Sequence, residues 1–305
     1  MFIKIINLFK VKSFHICLLS FLYFTLSTAS YANQESNSTS TSVNAPIVKD
    51  AFEWQFMVDL SFVGTQIILA DVEQKDFEDF FQLGLLLDMS YKGFFIQSNS
   101  RRSSTALGSA ELGYQLTVQD DWQLDVIFKA YLHGYDPEEI IKGQEKDIPQ
   151  LVGLDTRSPT GGIALRYSRF FDDAIFYIDF AAAHAVDHGQ DKNVKGLIID
   201  SFYSYLLPYR NWDIYLGAGL TYIDQELLDY YIGIDVDEAN IDRPLYEADS
   251  GFRGQLEVYA QYPLSQSWSF NAGITQTFYS SDIKKSPLVD KNILTQMMVG
   301  VLYVF

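Results

Sequence analysis

Cysteine is all but missing from this chain: the only one among 305 residues is Cys17, inside an N-terminal segment that reads as a removable leader. A disulfide framework, a thiolate metal site and thiol catalysis are therefore excluded for the remainder. Basic charge is also short. Against 39 Asp and Glu stand 22 Lys and Arg, a net charge of −17. A surface tracking a phosphate backbone needs the opposite balance, so no nucleic-acid partner is expected. Past the N-terminus no apolar run reaches the ~20 residues of a transmembrane helix. Proline is sparse, 8 residues against 20 Tyr and 23 Phe, and so aromatic a chain does not read as disordered.

The leader carries Lys4, Lys10 and Lys12, then a largely apolar stretch from Phe14 to Leu26, then the small-x-small site Ser30-Tyr31-Ala32. Residues 1–32 are read as a secretory signal peptide cleaved after Ala32. Asn33 to Asp50, rich in Ser, Thr, Asn and Gln, is read as a flexible periplasmic tail. Residues 51–305 are read as one domain.

Within that domain apolar residues recur with period two, not 3.6. Phe252, Gly254, Leu256, Val258, Ala260 and Tyr262 alternate with Arg253, Gln255, Glu257, Tyr259 and Gln261. Similar segments begin near Phe52, Phe81, Gly93, Ser109, Gln123, Gly162, Ala174, Gly196, Trp212, Trp268 and Leu294. This amounts to about twelve strands of roughly ten residues, the length a tilted strand needs to cross a bilayer. The connections alternate between short turns, as at Lys92-Gly93, Phe171 to Asp173 and Leu207 to Asn211, and long ones, as at Gly134 to Gly161 and Ile223 to Gly251. Outer-membrane barrels have this asymmetry, with tight periplasmic turns and long external loops. The expected fold class is all-β: a transmembrane antiparallel up-and-down β-barrel of about 12 strands in the bacterial outer membrane. Trp54, Trp122, Trp212 and Trp268 fall near the expected periplasmic ends of strands, as an interfacial girdle would. At the C-terminus, Tyr303 and Phe305 resemble the ending read by the barrel assembly machinery.

Four stretches carry a family resemblance. They are Tyr230-Tyr231-Ile232-Gly233-Ile234 in a long loop, Tyr246-Glu247-Ala248-Asp249-Ser250-Gly251 entering a strand, Tyr262-Pro263-Leu264-Ser265-Gln266-Ser267-Trp268-Ser269 across a turn, and Ser286-Pro287-Leu288-Val289-Asp290 before the last strand. In order and spacing the chain resembles the MltA-interacting protein (MipA/OmpV) family of outer-membrane proteins. The resemblance implies a scaffold for murein synthesis that touches a lytic transglycosylase and a murein synthase. It brings no catalytic residues.

If the apolar set faces lipid, the opposite set holds Glu53, Asp59, Asp88, Glu111, Asp125, Asp179, Asp200, Asp213 and Glu257 against Lys129, Arg166 and Arg253. An acidic lumen suits the alternative function, a narrow cation-preferring channel, because carboxylate rings favour cations. Pairing between strands and a side-chain-filled interior would leave it plugged. Arg253 and Glu257 lie about 13 Å apart at strand rise, so their partners are expected on neighbouring strands.

Catalysis is not expected. His133, His184 and His188, with Asp187, Ser201 and Ser204, offer fragments of a triad, but no spacing identifies a nucleophile. No cofactor or metal is expected either, and His184, Asp187 and His188 read as a polar loop rim. Asp235 to Asn240 is similar to a calcium loop in its carboxylates. It lacks the glycine at the sixth position and has Tyr246 where the closing glutamate belongs, so it is read as a solvated charged loop. Its acids, with Asp71, Glu73, Asp76, Glu78 and Asp79 of the first long loop, are candidates to reach lipopolysaccharide phosphates through divalent cations.

Overall fold

The computed structural model describes residues 52–72, 80–98, 110–144, 148–186 and 193–305. The expected signal peptide and tail lie outside the described residues. Twelve strands follow one another in the sheet: β1 (Glu53–Thr65), β2 (Phe81–Tyr91), β3 (Phe94–Ser98), β4 (Ala110–Val118), β5 (Trp122–Leu132), β6 (Thr160–Phe170), β7 (Ala174–Val186), β8 (Asn193–Tyr209), β9 (Trp212–Ile223), β10 (Gly251–Pro263), β11 (Trp268–Tyr279) and β12 (Ile293–Val304). Each pairs antiparallel with the next, and β12 pairs with β1 to close the barrel. Closure removes the sheet edge, which a structure spanning hydrocarbon requires because lipid offers no hydrogen bonds. No helix among the described residues is long and apolar enough to cross a membrane, so the spans are the strands.

The alternation sorts side chains as expected. Leu85, Phe94 and Ile163 point outward and are 63%, 64% and 61% exposed, an apolar surface suited to lipid and costly in water. The inward set is buried: Met57, Leu86 and Leu302 pack together, as do Val63, Tyr215, Tyr259 and Met298. All four tryptophans lie at or beside the first residue of β1, β5, β9 and β11, at the end of the barrel with short turns. There Trp212 stacks with Tyr262 at 5.1 Å and Trp268 with Tyr303 at 4.8 Å between ring centroids.

Turn chemistry explains the tight end. Lys92 and Gly93 both take positive φ, 48° and 85°, the conformation of a two-residue hairpin turn whose second position favours glycine. The turn expected over Leu207 to Asn211 is shorter. β8 continues through Pro208, which faces Asp213, and only Arg210 and Asn211 turn. Proline is accommodated because β7 begins at Ala174, opposite Tyr205, so that edge of β8 has no strand beside it at position 208.

The long connections share the opposite end and carry three short helices among the described residues: α1 (Pro137–Gln144), α2 (Gln225–Ile232) and α3 (Ser281–Lys284). The described parts of four of these connections pack together. Leu69, Val72, Ile148, Leu151, Leu154, Ile234 and Leu288 form one apolar cluster drawn from four connections. A second joins Leu227, Leu228, Tyr231 and Ile232 of α2 to the inward residues Ile127, Ala181, Ala183 and Ile198 of the wall.

The seam rests on the C-terminus. The Phe305 amide donates to Phe56 O at 3.0 Å, and the Phe305 ring lies 5.2 Å from Phe56 and 4.6 Å from Tyr303. Replacing both Tyr303 and Phe305 with alanine is expected to cost about 1.5–4.5 kcal/mol from the three ring pairs they make and to slow assembly. Cells should show less of the folded, faster-migrating band on semi-native gels, and an unchanged band ratio would refute the expectation.

Candidate functional site

A rung of charge crosses the lumen at mid-height. In register, Asp125 of β5 faces Arg166 of β6, Arg166 faces Asp179 of β7, Asp179 faces Asp200 of β8, Asp200 faces Thr221 of β9, and Thr221 faces Arg253 of β10. Two carboxylates opposed across a strand pair repel each other. Lys129 of β5 resolves this, its Nζ 2.7 Å from Asp179 Oδ2 and 3.1 Å from Asp200 Oδ2. Arg166 forks twice: Nε and Nη2 donate to Asp179 at 2.7 and 3.0 Å, and Nη1 and Nη2 to Glu111 at 2.7 and 3.0 Å. Its guanidinium lies 4.5 Å from the centroid of the Tyr177 ring. The Thr221 hydroxyl donates to Asp200 Oδ1 at 2.9 Å and accepts from Arg253 Nη2 at 3.2 Å. One polar chain thus runs over seven strands, from β4 to β10.

The other predicted lumen residues are placed as follows. Asp125 accepts from Gln123 Nε2 at 2.6 Å. Asp59 accepts from the Ser61 hydroxyl and from Asn271 Nδ2, the latter at 2.9 Å. Asp88 accepts from the Ser98 amide at 2.8 Å. Glu257 accepts from Thr275 on β11 at 3.5 Å, so Arg253 and Glu257 both find partners on adjacent strands. Glu53 is exposed at the periplasmic rim opposite Ser90, and Asp213 sits half-buried at that rim opposite Gln261. Inside, water does not reach Asp179, Asn271 or Thr275, which are 0%, 0% and 1% exposed.

Above the rung the mouth is filled by α2. Asp224 caps this helix by accepting from the Gln225 amide at 2.8 Å, and its other oxygen accepts from Leu197 N on β8 at 3.2 Å. Leu227 and Leu228 then lie against Gly196 and Gly251, where a Cβ would come within 2.9 and 2.7 Å of them. Glycine at these two places lets the helix dip into the mouth. The Tyr231 hydroxyl donates to Ser158 O at 2.6 Å, the Tyr135 hydroxyl to Tyr231 O at 2.6 Å, and Ser286 Oγ to Ile232 O at 2.6 Å. Arg157 Nη2 and Glu238 Oε2 form a buried ion pair at 2.9 Å. Arg243, 1% exposed, donates to the carbonyls of Glu238, Gln150 and Val152. These contacts bolt the 133–159 connection, and through Ser286 the connection between β11 and β12, to the 224–250 connection. Beside α2 a cavity of about 350 Å³ opens among Asp155, Arg157, Glu226, Tyr230 and Glu247.

The profile of a family described as MltA-interacting protein MipA matches residues 67–305. The chain belongs to that family. Outer membrane protein OmpV of Vibrio cholerae is 30% identical over 48% of this chain and 54% of its own length. Omp26La of Vibrio anguillarum is 27% identical over 35% and 40%. The match thus spans about half or less of those two relatives. The MltA-interacting protein of Escherichia coli is 24% identical over 59% of this chain and 71% of its own length. Among solved structures, the NanC porin superposes with a TM-score of 0.44 at 10% identity, over 81% of this chain and 98% of that one. OmpT of Vibrio cholerae gives 0.37 at 9%, over 84% and 98%. Scores this low support no argument about transport.

Three of the four stretches that carry the MipA/OmpV resemblance build the cap of this MipA-family barrel, and the fourth, Tyr262 to Ser269, spans the short turn between β10 and β11 at the other end. Tyr230, Tyr231, Ile232, Ile234, Ala248, Leu288 and Val289 are all buried in the cap. The solvated reading of the 235–240 loop needs correction, because Glu238 is 6% exposed and paired, while Arg157 and Arg243 were not singled out by sequence reasoning at all. A signal is present nonetheless: Ile148, Leu151, Leu154, Ile232, Ile234 and Leu288 are too apolar for free loops. Among the described residues the triad fragments do not meet. His184 faces Lys195, whereas Ser201 faces Ile178 and donates to Leu220 O; Asp187 and His188 lie outside the described residues.

Two expectations follow. Arg166→Met strands Glu111 and leaves Asp179 to Lys129 alone, and should cost about 3–5 kcal/mol, read as a lower melting temperature in detergent; a change below about 1 kcal/mol would refute it. Burial works against the Glu238 carboxylate, but Arg157 and the Asp155 and Asp235 amides outweigh it and hold its pKa below the ordinary range. A depressed pKa stabilises the cap fully above about pH 4.3 and loses that stabilisation as pH falls through the lower native value. Protease cleavage within 145–160 and 233–246 should therefore stay flat from neutral pH down to that point and rise below it. Glu238→Gln should cleave faster at neutral pH.

Proposed function

We propose that this protein is a closed outer-membrane barrel that serves as a membrane-anchored scaffold for murein-modifying enzymes. The observation that carries this reading is the filled interior, with its mid-lumen residues shut off from water and its mouth occupied by α2. A barrel in that state works through its surfaces. A relative in Escherichia coli is named MltA-interacting protein, which makes a lytic transglycosylase the first candidate partner, with a murein synthase as the second. Both would dock on the periplasmic turns and the 33–50 tail. Lipopolysaccharide and the barrel assembly machinery complete the expected surroundings, around the outer loops and the Tyr303–Phe305 end.

A narrow cation-preferring channel requires α2 to leave the mouth and the rung to give up its paired charges. Removing an uncompensated partner from such a network is costly, so the closed state is favoured. No catalytic role is proposed.

Cross-linked envelopes should yield a lytic transglycosylase or murein synthase with the tagged protein well above an unrelated barrel control. In planar bilayers the intact protein should show no steady conductance. Steady cation-selective current through the intact protein, with no murein enzyme recovered, would overturn the scaffold in favour of the channel.

A further inference from the structure

The most exposed large apolar side chains of the described residues are Ile241 at 96% and Val236 at 82%. They are neither on the lipid-facing wall nor on a slack loop. Two consecutive tight turns present them. In the first, the Glu238 and Ala239 amides donate to Asp235 O at 3.1 and 3.0 Å, so Val236 sits at the tip. In the second, Asn240 N donates to Arg243 O at 2.8 Å, and Asn240 Oδ1 accepts from the Asp242 and Arg243 amides at 2.9 and 2.8 Å, leaving Ile241 at the tip. Each turn ends on a buried charged anchor, Glu238 on Arg157 and Arg243 on the carbonyls of Gln150 and Val152.

The anchors hold the backbone while the aliphatic tips stay in solvent. A loop whose only task was to close the mouth would gain by turning these side chains inward. Rigid presentation of apolar groups is instead the property of a binding surface, because little conformational entropy is lost on docking. Carboxylates flank the tips: Asp235 and Asp237 beside Val236, and Asp242 beside Ile241, all exposed. That flanking selects the occupant. A second copy would bring the same acidic turns and the same net charge of −17, and a phosphate-bearing lipid surface is repelled as well unless divalent cations bridge it.

We propose that the double turn Asp235–Arg243 is a docking knuckle for an external protein surface that offers an apolar pocket rimmed by basic side chains. It faces away from the periplasm and does not depend on the scaffold reading.

The test pans a random peptide library on phage against the full chain in nanodiscs free of lipopolysaccharide. Enriched peptides should combine aliphatic or aromatic residues with Lys or Arg. Their affinity should fall at least about tenfold on V236S/I241S, since two apolar contacts are lost. On D237N/D242N the salt dependence of binding should flatten. Both pairs of side chains lie in solvent, so heat-modifiability should match the parent protein, which separates lost docking from lost folding. Absence of enrichment, enrichment of acidic peptides, or equal binding to V236S/I241S would each overturn the proposal. So would a change in co-purified lipopolysaccharide in that variant without any change in peptide affinity.

Discussion

In hydrocarbon no backbone amide or carbonyl finds water, and the rest of this structure answers to that constraint. The sheet must close, which sets β12 against β1 and puts the last residues of the chain beside Phe56. Closing twelve strands leaves an interior that backbone alone does not fill. The sequence fills it with rings and thioethers on one side, Tyr215, Tyr259 and Met298, and with ionised groups on the other. Those ionised groups must then neutralise one another, because a lone charge there is far more expensive than a pair.

The pairing is built into the register. Asp179 faces Asp200, an arrangement that is unfavourable for two strands considered alone. Lys129 reaches both from β5, two strands away from Asp179, and Arg166 takes the remaining side of Asp179. A one-residue slip of any of these strands would carry its charges to the lipid face. The network therefore makes the native register the one in which these charges are paired. Its contribution is to specificity at least as much as to net stability, since buried ion pairs often little more than offset their desolvation.

The barrel is legible in the sequence because period two is written residue by residue, and the lipid-facing set is chemically uniform. β2 and the turn at Lys92-Gly93 coincide with their expected bounds, and β8 runs longer than expected at both ends, starting at Asn193 and continuing where Pro208 finds an open edge. Partnership inside the barrel is not legible, because parity says which way Arg166 points and not that Glu111 lies within its reach. The cap is the least legible part. Glu238 and Arg243 look like any solvated charges until segments about eighty or more residues away, around Gln150 and Arg157, are brought to them. The apolar residues scattered through the same loops mark the burial, but nothing local marks the pairing.

The cap also has a place in time. Leu69, just beyond β1, bridges to Val289, just before β12, and the Ala70 amide donates to Leu288 O at 2.9 Å. These two segments stand at opposite ends of the barrel-forming sequence and become neighbours only through the seam. Contacts of such high sequence separation form late, after the entropy of closing the intervening chain has been met. The lid over the mouth is thus completed by the same event that completes the cylinder. A barrel whose first and last strands have not joined leaves Leu69, Leu288 and Val289 uncovered, so an unfinished molecule carries a greasy outer face that the finished one lacks.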